Sequence, residues 1–107
     1  MQVEKVLNII KKLAEEIITL ETADRLRNYF VIKSLLDELR DEGNIRQIPI
    51  NMFNEYAHNL LGHCRILAGL YTNDGHDDQQ HLRWIYAEID KLRSAHCFNI
   101  EFSSLNI

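Results

Sequence analysis

Apolar side chains recur at helical spacing through Asn51–Thr72, and this stretch constrains the rest of the chain. Projected at about 100° per residue, Met52, Phe53, Tyr56, Ala57, Leu60, Leu61, His63, Cys64, Leu67, Ala68, Leu70 and Tyr71 share one half of a helix. Asn54, Glu55, His58, Asn59, Gly62, Arg65 and Gly69 share the other half, with Ile66 at its edge. So wide an apolar arc has to be covered by more than one neighbouring element. Pro49 cannot continue a preceding helix and Asn51 is a good N-cap, so the helix is predicted to start at 51. Thr72-Asn73-Asp74-Gly75 is a turn cluster that ends it.

Three more stretches read as helices. Over 3–20, Val3, Val6, Leu7, Ile9, Ile10, Leu13, Ala14, Ile17, Ile18 and Leu20 face one way, while balanced charges face the other. Over 23–42 the apolar residues Leu26, Tyr29, Phe30, Val31, Ile32, Leu35, Leu36 and Leu39 spread round most of the circumference. Thr22 is its expected N-cap and Gly43 its expected stop. Over 75–97, Leu82, Ile85, Tyr86, Ile89, Leu92 and His96 form a core face, with Asp74 as the expected N-cap. Phe98, Ile100 and Phe102 then alternate with polar residues, so 98–107 is expected to be an extended tail. The connection 43–50, with Ile48-Pro49, is expected to run extended over one end. One Pro and four Gly in 107 residues suit long helices joined by short links. The predicted fold is a single all-α domain, an antiparallel four-helix bundle with up-down-up-down connectivity.

Charge and composition exclude several functions. A net charge of −4 lacks the basic patch that nucleic acid requires. No apolar run approaches the roughly 20 residues of a membrane span. The first residues carry charges every few positions, unlike a signal peptide. Cys64 lies on a core face and Cys97 is far away in sequence, so both read as reduced thiols of a cytosolic protein, although spacing alone leaves a bridge open.

The residues with chemical potential do not form a catalytic set at sequence level. His58 and His63 are five apart, as are His76 and His81, which puts each pair about 140° apart on a helix. Neither pair can share an ion; a site would need pieces from several helices, such as His63, His81 and His96 meeting in the core, and no metal or cofactor is expected. His63 reads as a satisfied core histidine. His63-Cys64 and His96-Cys97 are chain neighbours, which diverge on a helix and cannot act as nucleophile and base. No glycine-rich phosphate loop is present.

Three features point outward. Gly62 and Gly69 lie seven apart on one stripe, marking close helix packing or a groove. Asp37, Glu38, Asp41 and Glu42 crowd the C-terminal end of the second helix, where the dipole disfavours acids. They form a candidate docking patch for a partner with a basic surface. Trp84 falls on a polar face of the fourth helix and is a separate candidate anchor, or a site covered by the tail. The second helix also carries more apolar surface than one neighbour can cover, since Val31 lies opposite Tyr29, Ile32 and Leu36. A homodimer through 26–39 is therefore expected.

Glu15-Glu16 and Glu38-x-x-Asp41 resemble the paired acids of all-α nucleotide pyrophosphohydrolases of the MazG type. That resemblance implies carboxylates on two helices converging on Mg²⁺. Thr19 stands where the family's first motif places another acid. Set against it, the absence of a catalytic constellation and the surplus of apolar surface favour a non-enzymatic interaction protein. Such a protein inhibits, escorts or regulates a macromolecular partner, as immunity proteins, antitoxins, phage inhibitors and secretion chaperones do.

Overall fold

The computed structural model describes residues 3–41, 50–70 and 75–105, with side chains over 3–40, 51–70 and 75–94. Four helices follow one another: α1 (Val3–Ile17), α2 (Thr22–Asp41), α3 (Ile50–Leu67) and α4 (Asp78–Leu105). α1 packs on α2 and α4, and α3 packs on the same two helices. The result is the antiparallel four-helix bundle that the apolar patterning predicts.

Polar contacts fix how the helices run past one another. Asn28 of α2 donates from Nδ2 to the Leu13 carbonyl of α1 at 3.2 Å. Arg65 of α3 donates from Nε to the Tyr29 hydroxyl of α2 at 2.8 Å. Arg93 of α4 donates from Nε to both carboxylate oxygens of Glu4, at 2.8 and 3.0 Å, and reaches Asn8 as well. One end of the bundle thus holds the start of α1, the later parts of α2 and α4, and the start of α3. The other end holds Leu13–Ile17, the start of α2, the end of α3 and the start of α4. The core between them is aliphatic: Leu7, Ile10, Ile17, Ile32, Leu36, Leu39, Leu60, Leu67, Ile85, Ile89 and Leu92 are essentially removed from water.

Helix ends differ from the sequence expectations in instructive ways. α1 stops at Ile17 rather than 20, and Thr19 and Leu20 close a tight turn onto the Glu16 and Ile17 carbonyls. α3 stops at Leu67 rather than 72. Gly69 sits at φ 82°, Leu70 donates to the Arg65 carbonyl and Gly69 to the Ile66 carbonyl. That is a Schellman cap, which needs a residue tolerant of positive φ at this place. α4 begins at Asp78, and the N-cap is Asp77 rather than Asp74: its Oδ1 accepts from the Gln80 backbone at 2.8 Å. Downstream, α4 continues to Leu105, so 98–105 is helical and not extended. No Gly or Pro interrupts 78–105, and a brief two-residue alternation does not stop a helix that has no terminator. The connection 43–49 and the turn cluster 72–74 lie outside the described residues. Among the described residues no helix is long and apolar enough to cross a membrane.

Candidate functional site

α2 is the helix with two apolar faces. Tyr29, Ile32, Leu36 and Leu39 are buried towards the core. On the opposite side Phe30 is 57% exposed and Val31 41% exposed, flanked along the helix by exposed Arg27, Ser34 and Glu38. The apolar spread read from the sequence is thus divided between a core face and an outer face that no described element covers. Ile9, Met52 and Leu70 are also exposed, but each belongs to a different segment; isolated apolar residues of this kind are ordinary on a protein surface.

The acidic end of α2 is more balanced than its sequence implies. Asp37 lies 3.8 Å from Lys33 and 3.4 Å from Arg40, one turn away on either side. Its charge is therefore partly neutralised within the helix. Glu38 is exposed and makes no ion pair among the described residues. The side chain of Asp41 and all of Glu42 lie outside the described residues. Beside Asp37, an open groove of about 380 Å³ runs between α2 and α3, floored by Leu36, Phe53, Ala57 and Leu61 and edged by Lys33, Arg40 and His58.

Trp84 is not isolated on a polar face. It is half-buried, with its ring centroid 5.1 Å from His63, 5.3 Å from His81 and 4.8 Å from His76. It belongs to the opposite end of the bundle from Glu38, so the acidic patch and the tryptophan do not form one surface. His81 is fully buried, and its Nδ1 lies 3.1 Å from Nδ1 of His63. One ring must present a proton there and the other its lone pair. His63 is accordingly a hydrogen-bonded histidine at the edge of the core. His63 and His81 thus meet at the edge of the core, while the side chain of His96 lies outside the described residues; spacing along one helix does not show the cluster, because it joins α3, α4 and the segment before α4. Among the described residues no group of three or more His, Cys, Asp or Glu is arranged to hold a metal ion.

The two glycines do not form a packing stripe. Gly69 caps α3, and a Cβ added to Gly62 would meet no atom within 4 Å. Neither lies at a close helix contact among the described residues.

Of the carboxylates that resemble the pyrophosphohydrolase pairs, Glu15 and Glu16 do not converge with Glu38, and the side chain of Asp41 lies outside the described residues. Glu15 and Glu16 follow Leu13, level with Asn28 at the start of α2. Glu38 lies ten residues further along α2, roughly 15 Å at a helical rise of about 1.5 Å per residue. Burial chiefly, and then the neighbouring Glu15 carboxylate, push the Tyr86 hydroxyl pKa upward.

Sequence reading also passed over a half-buried arginine and a buried glutamate. Arg25 donates to the carbonyls of Ile18, Leu20 and Leu67, at 3.3, 2.7 and 3.1 Å. These are carbonyls at the ends of α1 and α3, which have no partner inside their own helices. One guanidinium satisfies three of them and places a cation at two helix C-termini. Glu88 is buried, with one oxygen 3.1 Å from Lys91 Nζ and the other without a partner among the described residues. Cys64 is a free, fully buried thiol, and burial pushes its pKa up to about 12. It is held protonated and is no nucleophile. The chain matches no protein-family model, and no curated protein or solved structure matches it.

Proposed function

We propose that this chain is a non-enzymatic protein-interaction module that binds another macromolecule and thereby inhibits, escorts or regulates it. The observation that carries this reading is the outer face of α2. A chain that has already buried a continuous aliphatic core keeps Phe30 and Val31 in water on a stable helix. Adjacent exposed apolar groups rimmed by charge are one mark of a contact surface. Glu38 stands beside them with no ion pair among the described residues, and its charge favours a partner bearing a basic group. A net charge of −4 disfavours nucleic acid as that partner. The buried thiol of Cys64 suits a reducing compartment, and we take the cytosol as its place of action.

Affinity capture with the wild-type chain and with Phe30→Asp tests this reading. A stoichiometric complex with a defined macromolecule, formed by the wild type and lost with Phe30→Asp, is the expected result. Mg²⁺-dependent hydrolysis of a nucleoside triphosphate, lost on Glu38→Gln, would replace it with the enzymatic reading.

A further inference from the structure

We propose that the outer face of α2 binds the same face of a second copy of this chain, with the two α2 helices antiparallel. The inference rests on the interaction reading and names its occupant. The exposed stripe runs Arg27, Phe30 and Val31, Ser34, Glu38. Arg27 and Glu38 are eleven residues apart, close to three helical turns, so they share one side of α2 at either end of the apolar pair. Read towards the C-terminus the stripe goes cation, apolar, small, anion. Read backwards it goes anion, small, apolar, cation. Such an order is its own complement under a two-fold axis that reverses the helix, as an isologous interface requires.

The midpoint of the stripe falls between Ile32 and Lys33. With the two-fold axis there, Arg27 of each copy meets Glu38 of the other. Val31 lies over Ser34 of the second copy, and that small side chain lets the helices approach. Phe30 packs beside the same seam. The charges are available for this role. The Arg27 side chain is 78% exposed and lies 3.8 Å from Asp24, a loose contact, while Glu38 has no ion pair among the described residues. A parallel pairing would set Arg27 against Arg27 and Glu38 against Glu38, so charge selects the antiparallel arrangement. A contact limited to one helix face is small and fits association in the micromolar range.

The test uses the charge pattern. Wild-type protein is expected to form dimers at tens of micromolar, an order of magnitude suited to a small interface. Arg27→Glu alone and Glu38→Arg alone each place two like-charge pairs across the seam and should weaken the dimer roughly tenfold. An equimolar mixture of these two variants should recover dimer. In the mixed pair, the acids at positions 27 and 38 of one copy face the cations at positions 38 and 27 of the other. The Arg27→Glu/Glu38→Arg double variant should recover it too. A wild-type chain that stays monomeric at these concentrations overturns the proposal, as does a mixture that associates no better than its components. Neither result touches the broader interaction reading, which fails separately if Phe30→Asp leaves capture of a heterologous macromolecule intact.

Discussion

Arg25 shows how far a residue's role can lie from its place in a pattern. In the sequence it interrupts an apolar helix; in the structure its guanidinium holds the ends of α1 and α3 together. Arg25→Ala should cost about 2 kcal/mol, since charge-assisted bonds to otherwise orphaned carbonyls are lost. Arg25→Lys should recover only part of that, because an ammonium lacks the fork; denaturant midpoints measure both. Trp84 reverses its expectation. A surface anchor would be removed at no cost to the fold, but a half-buried ring against three imidazoles should cost about 2 kcal/mol as Trp84→Ala, less than a fully buried Trp. Cys64 makes a pH prediction. Its thiol is raised from 9.0 to about 12 by burial, so the folded state holds the proton after the unfolded state has released it. That contribution to stability is complete below about pH 9 and is lost as pH rises towards 12. The thermal midpoint should fall over that window, and less steeply in Cys64→Ala. In the native state near neutral pH, Cys64 should resist alkylating reagents that modify it on unfolding.

Elements were legible where periodicity is strong and unreliable where a helix ends. All four helices and nearly all of the core could be read from apolar spacing, because burying one face of each helix leaves little freedom. Helix ends depend on single backbone bonds, and there the pattern misled. Gly62 and Gly69 fall on one projected stripe, yet one lies inside α3 and the other closes it at φ 82°. Their substitutions should therefore have opposite signs. Gly62→Ala should stabilise by up to about 1 kcal/mol, having open space around the new methyl group and a helix former in place of a glycine. Gly69→Ala should destabilise by about 1 kcal/mol, because a Cβ is strained at positive φ. Thermal denaturation of the two variants decides the point, and equal signs would contradict the cap. The alternation in Phe98, Ile100 and Phe102 misled in the same way, since three residues do not outweigh an uninterrupted helix. The histidine cluster was legible only as one way in which His63 and His81 of different helices could meet, because it forms between segments, which a single-helix projection cannot show.

At the scale of the molecule, the outer face of α2 was half legible. The excess of apolar residues over 23–42 could be read directly, and so could the opposition of Val31 to Ile32. Which of them face water depends on where α1 and α3 lie, and only the assembled bundle fixes that. The acidic end of α2, prominent in the sequence, is softened by Lys33 and Arg40, whereas Phe30 emerges as the most exposed large apolar side chain among the described residues. The interaction reading therefore turns on Phe30 being surface and functional, not core. Sedimentation equilibrium of the wild type and Phe30→Asp, from about 5 to 100 µM, decides between the two, with melting curves on the same samples. The expected result is a reversible monomer–dimer equilibrium for the wild type, a monomer for Phe30→Asp, and a difference in folding stability below about 1 kcal/mol. A Phe30→Asp chain destabilised by several kcal/mol, as a core substitution would be, contradicts it, whereas a monomeric wild type overturns the α2–α2 pairing alone.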